Sequence, residues 1–201
     1  MANKNISTPA NPAPAGSAPP AERYIVAALL IVGFLLLVPG VQLFVVADHN
    51  LALPGWARSI DRRTWEANLV SAGVSVTLFG LVALEGVLRR AGDHVLSRIG
   101  LTSFTLGTAM WLTVNALSLD SGSWVAELET YFIVFAFLGT ALFSWAILRT
   151  RLLPTWVGVV AFCWPITLIF VVLPGNSGPL FYEPALLLIG VALLFRRERA
   201  A

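Results

Sequence analysis

The sequence predicts an all-α integral membrane protein, a polytopic transmembrane bundle of six helices that follows a disordered N-terminal tail. Two figures lead to this class: of 201 residues, 57% are hydrophobic and only 12% are charged. Soluble domains carry about 25% charged residues and rarely expose large apolar patches. This apolar composition excludes a soluble enzyme. The formal net charge is only +2 and the basic residues lie in short clusters, which excludes a nucleic-acid binder.

Residues 1–22 are rich in Ala, Pro, Ser and Asn and have no apolar periodicity. Such a composition cannot bury enough surface to offset the entropy of ordering the chain, so this segment is predicted to be a disordered cytoplasmic tail. Residues 23–201 then form the transmembrane domain.

Six apolar runs follow the tail, and each is close to the ~20 residues that cross about 30 Å of hydrocarbon. Backbone groups in lipid must be satisfied within the segment, so each run is predicted to be a helix. The sixth run is the shortest. In chain order the predicted spans are 24–47, 69–88, 99–119, 125–148, 153–173 and 180–195.

The basic residues set the predicted orientation. With six spans, ten of the 13 Lys and Arg residues fall on the side of both termini, and only Arg58, Arg62 and Arg63 fall on the other. Because positive charge is retained on the cytoplasmic side, both termini are predicted to be cytoplasmic, in a bacterial inner membrane. Tryptophan and tyrosine near the predicted span ends, such as Trp65 and Trp156, fit interfacial belts.

Ionisable residues in spans are candidates for function. Glu85 lies near the cytoplasmic end of the second span, and Arg89 follows at i+4, the favourable order for an ion pair. Local pairing of Glu85 with Arg89 is therefore the simpler interpretation of this charge.

A second candidate is an acidic group near the predicted outer face. Glu127 and Glu129 open the fourth span, Glu183 opens the sixth, and Tyr131 and Tyr182 lie close in depth. Together they would form an electronegative, aromatic-lined mouth that attracts a cation, an amine or an amphipathic molecule. The alternative is structural, because acids at helix N-termini complement the helix dipole.

Deeper in the bundle, Trp111 and Asn115 lie one turn apart on the third span, and Trp164 lies within the fifth. These residues would line a pocket for a lipid or an isoprenoid. The alternative for Asn115 is an interhelical hydrogen bond that only stabilises the bundle.

The sequence contains no phosphate loop, dinucleotide fingerprint or metalloprotease or hydrolase motif, so no catalytic residue, metal site or cofactor is predicted. The single cysteine, Cys163, excludes an internal disulfide.

Two segments of the sequence resemble those of known membrane proteins. The run Leu-Leu-Pro-Thr-Trp-Val-Gly at 152–158, just after Arg149 and Arg151, and the ending Leu-Leu-Ile-Gly-Val-Ala-Leu-Leu at 187–194 resemble a broad group of uncharacterised bacterial six-helix integral membrane proteins. The resemblance implies a fold and a location, and no activity.

The functional expectation is a non-enzymatic inner-membrane protein, acting as an accessory or structural subunit or as a binder of a hydrophobic molecule. The alternatives are a small oligomeric transporter or channel with the acidic outer mouth and, with least support, a lipid-modifying enzyme. The expected partners are the lipid bilayer, a membrane protein or a second copy of the chain, and a hydrophobic small molecule.

Overall fold

The computed structural model describes residues 20–48, 62–116, 123–172 and 182–196, and these contain six helices. The predicted six-helix, all-α fold is confirmed. The predicted tail, apart from its last three residues, lies outside the described residues. The helices are α1 Pro20–Asp48, α2 Arg62–Arg90, α3 Leu96–Ala116, α4 Ser123–Thr150, α5 Thr155–Val172 and α6 Glu183–Leu194.

Three helices are long and apolar enough to cross a bilayer, which indicates a membrane protein. The qualifying segments are Ala21–Gly40 in α1, Asn68–Arg90 in α2 and Thr130–Thr150 in α4. Shorter apolar segments, Thr155–Thr167 and Glu183–Leu194, lie in α5 and α6. At 1.5 Å per residue, the 29 residues of α2 extend about 44 Å, beyond the hydrocarbon thickness.

The helices close into a ring. Each packs against the next in the chain, and α6 packs against both α5 and α1, so that the first and last helices are neighbours. The most extensive pairs are α1 with α2 and α3 with α4. The main apolar core lies between the helices and draws buried residues from all six, among them Leu30, Leu84 and Phe104.

Small residues let α1 and α2 approach closely. A Cβ atom added to Gly73 would lie 2.6 Å from the Leu37 Cγ and 2.9 Å from the Gly33 carbonyl oxygen, and one added to Gly33 would collide with the Thr77 hydroxyl. The backbones therefore cross where neither helix carries a side chain, as is common between membrane helices. This contact fixes the rotation of α2 so that Thr77 faces inward.

The α3–α4 pair is built in the same way. A Cβ atom on Gly139 would lie 2.8 Å from the Gly100 carbonyl oxygen and 2.9 Å from the Phe104 Cβ. The Ser103 hydroxyl donates a hydrogen bond of 2.8 Å across the pair to the Phe135 carbonyl oxygen. Close backbone contact and an interhelical hydrogen bond together define this seam.

One end of the bundle carries seven arginines, at or near the start of α1, α3 and α5 and the end of α2, α4 and α6, whereas Arg62 and Arg63 begin α2 at the opposite end. The seven are Arg23, Arg89, Arg90, Arg98, Arg149, Arg151 and Arg196. This end is called the arginine end below. Here Arg90 forms an ion pair with Glu22, which ties the end of α2 to the start of α1. Between α2 and α3, Gly92 takes a left-handed backbone (φ 98°), and the Ser97 amide donates a 2.7 Å hydrogen bond to the Asp93 carboxylate at the start of α3.

Candidate functional site

Away from the arginine end, five described residues have a buried side-chain polar atom without a hydrogen-bond partner among the described residues. The Glu183 cluster consists of Thr77 on α2, Thr108 and Trp111 on α3, and Tyr182 and Glu183 at the start of α6. Both carboxylate oxygens of Glu183 are enclosed and the residue is 0% exposed. The Thr77 hydroxyl is close enough to interact with the carboxyl but does not complete a hydrogen bond of acceptable geometry.

The Glu183 cluster lies deep along the helix axes. Thr77 is 13 residues from Arg90, about 20 Å from the arginine end. Helix α6 runs antiparallel to α1: Gly190 packs against Leu30, whereas Glu183 faces Thr77, which packs against Gly33 further along α1. With only 12 residues, α6 therefore begins within the ring.

Aromatic rings surround Tyr182. Its ring meets Phe104 at a centroid distance of 5.2 Å and Phe132 at 6.1 Å, both edge to face, while Trp111 lies on Phe132 at 5.0 Å. These contacts hold the Tyr182 ring at the beginning of α6, where its hydroxyl is buried without a partner among the described residues. Buried tyrosine and tryptophan normally satisfy their polar atoms, so two unsatisfied ones in one cluster are unusual.

Packing around the cluster forms a closed circuit. Trp111 also contacts a small apolar group that includes Val74 on α2. Val74 lies one helical turn before Thr77, and Thr77 faces Glu183. The circuit from Thr77 through Glu183, Tyr182 and Phe132 to Trp111, which packs against the apolar group that contains Val74, brings α2, α3, α4 and α6 to one place.

No described arginine lies at the depth of the Glu183 carboxyl, because seven lie at the arginine end and Arg62 and Arg63 begin α2 at its opposite end. Burying an ionised carboxylate without a counter-charge or hydrogen bonds is costly. In a membrane bundle such a residue marks a functional site by default. Among the described residues no group of three or more His, Cys, Asp or Glu side chains converges, so the cluster offers a single carboxylate.

The structure brings together three of the residues singled out from the sequence, namely Trp111, Tyr182 and Glu183. Tyr131 is 50% exposed, although its neighbour Phe132 lies in the circuit, because adjacent helical residues face different directions. Trp164 is 41% exposed on α5. Glu183 and Tyr182 are thus inside the ring, on a different face from Tyr131.

Other predicted residues lie apart from the cluster or outside the description. Glu85 is half-buried and Arg89 exposed, near the arginine end, and their pairing stays a prediction. The side chains of Asn115, Glu127 and Glu129 lie outside the described residues, although their backbones belong to α3 and α4.

Sequence reasoning did not select Thr77 and Thr108. A threonine in an apolar run usually bonds the carbonyl one turn earlier in its own helix, so it gives no signal by itself. The small residues Gly33 and Gly73, which bring α1 against α2, carry the only indirect sign that Thr77 faces a neighbour.

Comparison with known proteins finds no matching family model, no similar curated protein and no similar solved structure. Functional inference therefore depends on the site itself.

Proposed function

We propose that this chain is a non-enzymatic, multi-pass membrane protein that binds a small hydrophobic or amphipathic molecule at the Glu183 cluster. The observation that carries this proposal is the group of buried polar side chains without partners among the described residues. Each unsatisfied buried group costs about 1–3 kcal/mol, and a polar ligand group would recover that cost on binding. The aromatic rings of Phe104, Phe132 and Trp111 suit the apolar part of such a molecule.

The proposal includes the location. The chain crosses a bacterial cytoplasmic membrane six times, with both termini in the cytoplasm. The concentration of arginines at the arginine end supports this orientation. The resemblance of residues 152–158 and 187–194 to bacterial six-helix membrane proteins supports the location. Reporter fusions at both termini test the orientation, and a C-terminus outside the cell would contradict it.

Purification in mild detergent tests ligand binding. We expect native mass spectrometry of the wild-type protein to show a stoichiometric small molecule that denaturation releases. Occupancy should fall about ten-fold in Glu183→Leu, equivalent to the loss of one strong polar contact. The matched control is Glu85→Leu, which removes a half-buried glutamate outside the cluster and should retain the molecule. Wild-type protein that carries no such molecule would contradict the proposal.

A second candidate function is a small transporter, and the start of α6 inside the ring favours it. Discontinuous or short helices that begin near the bilayer midplane form substrate sites in several transporters. For either function, the chain would act in a complex with a membrane-protein partner or with a second copy of itself. Flux in proteoliposomes that disappears in Glu183→Gln would favour transport, and substrate retention without flux would favour a binding protein.

A further inference from the structure

We propose that the molecule bound at the Glu183 cluster carries a monovalent organic ammonium group, which pairs with the Glu183 carboxylate. This inference rests on the proposed binding function and specifies its ligand class.

The charge balance of the site points to a cation. An ionised carboxylate only accepts hydrogen bonds, and neither oxygen of Glu183 has a donor among the described residues. The arginine end is about 20 Å along α2 from Thr77, and Arg62 and Arg63, which begin α2 at its other end, are at least as far from Thr77 along the helix. A bound anion would add a second unpaired negative charge, which the low-dielectric interior disfavours.

The polar atoms favour an ammonium over a metal ion. An ammonium group has three donors, and the Glu183 carboxylate and the hydroxyls of Thr77 and Tyr182 are acceptors. Divalent calcium prefers six to eight oxygen ligands with several carboxylates, whereas the cluster holds one. A neutral alcohol would supply a single donor and leave the charge uncompensated.

The aromatic surroundings strengthen this choice. The negative faces of aromatic rings attract cations, most strongly when the site excludes water. Phe104, Phe132 and Trp111 are grouped around Tyr182 within centroid distances of 5.0–6.1 Å between successive rings. The same rings would contact an alkyl or aromatic tail, so an amphipathic amine would match both the charge and the apolar surroundings.

Three probes of equal chain length separate the charge states: decylamine, decanol and decanoate. The full-length protein is placed in nanodiscs of zwitterionic phosphatidylcholine, which removes the attraction of anionic lipid for amines, and empty nanodiscs measure partitioning. Equilibrium dialysis of radiolabelled probes then gives the saturable affinity. We expect decylamine to bind about ten-fold more tightly than decanol, with decanoate weakest.

Substitutions at Glu183 and Glu85 test whether Glu183 causes the preference for decylamine over decanol. In Glu183→Gln the advantage of decylamine over decanol should fall to about two-fold or less, while decanol still binds. Glu85→Gln should keep the full preference. Equal affinity for decylamine and decanol in the wild type, as expected for a carboxyl that is simply protonated, would overturn the ammonium inference and leave the binding function intact. Absence of saturable binding for all three probes would overturn the binding function itself.

Discussion

The α3–α4 seam and the Glu183 cluster both contain buried polar groups, but they meet their hydrogen-bonding needs differently. Within α4, the Thr140 hydroxyl donates to the Ala136 carbonyl oxygen at 2.9 Å, and the Ser144 hydroxyl donates to the Thr140 carbonyl oxygen at 2.8 Å. Ser103 bonds across to Phe135 at 2.8 Å. In the cluster, each member has a polar atom without a partner among the described residues.

The difference follows from side-chain chemistry. A helical serine or threonine can bond the carbonyl one turn earlier, as Thr140 and Ser144 do, whereas Thr77 and Thr108 make no such bond. An ionised carboxylate cannot donate to any carbonyl, and the indole and phenol groups reach too far from their own backbone for this local bond. The hydroxyls of the seam are therefore satisfied within the protein, whereas the Glu183 cluster keeps polar atoms that no described residue satisfies.

The largest change in unfolding free energy is expected from a substitution that disrupts the α3–α4 seam. Gly139→Ala places a Cβ between the Gly100 carbonyl oxygen and the Phe104 backbone, neither of which can move like a side-chain tip. We expect a loss of about 3 kcal/mol in unfolding free energy, the upper range for overpacking, measured by thermal or denaturant unfolding in detergent. Gly86→Ala is the control, because its Cβ would meet nothing within 4 Å. Gly86→Ala should be neutral or slightly stabilising, since alanine has the higher helix propensity, and an equal loss in both variants would contradict the role of the seam contact.

The second-largest change is a gain rather than a loss in unfolding free energy. Glu183→Leu replaces an unpaired buried carboxylate with an apolar group, so the ligand-free protein should gain about 2 kcal/mol in unfolding free energy while it loses ligand. Unfolding of ligand-stripped wild type and variant at neutral pH measures this gain. Destabilisation by Glu183→Leu would show that the carboxyl already has a stabilising partner in the protein.

A smaller loss in unfolding free energy is expected when a hydrogen-bonded hydroxyl, that of Thr140, is removed. Thr140→Val keeps the side-chain shape and removes the bond to Ala136, which should cost about 1 kcal/mol. The matched change in the cluster, Thr77→Val, removes an unsatisfied hydroxyl and should cost less than Thr140→Val in ligand-free protein. The same unfolding assay compares them, and the reverse order would contradict the distinction between the two regions.

The smallest effect concerns a charge that has a partner. Glu22 and Arg90 are 40% and 46% exposed, so their ion pair is largely screened. Arg90→Gln should cost about 0.5 kcal/mol, and the cost should shrink in high salt. A salt-independent loss of several kcal/mol would mean that this pair behaves as a buried one.

The six helices could be predicted because each apolar run reports directly on burial in lipid. The helices extend beyond these runs: the apolar segment of α2, Asn68–Arg90, begins close to the predicted 69, whereas the helix itself begins at Arg62, since helical hydrogen bonding continues into a polar turn. The predicted 180–195 span and α6 differ for a related reason, because Pro184 favours a helix start at Glu183.

The site was predictable only in parts. Glu183, Tyr182 and Trp111 stand out by residue type, but the sequence divided them between an outer mouth and a deeper pocket. Their meeting depends on how each helix is rotated about its axis. That rotation is set by contacts such as Gly33 against Thr77, which no single run of sequence displays.

The closure of the ring by α6 has a consequence for the order of assembly. Val26, Ala27 and Leu30 of α1 belong to the fully buried core, and Gly190 packs on Leu30 and Ala27. During synthesis α1 emerges well before α6, so this face of α1 waits for α6 before it is covered. Glu183 arrives with that helix, and the Glu183 cluster is therefore assembled in the same step that closes the ring.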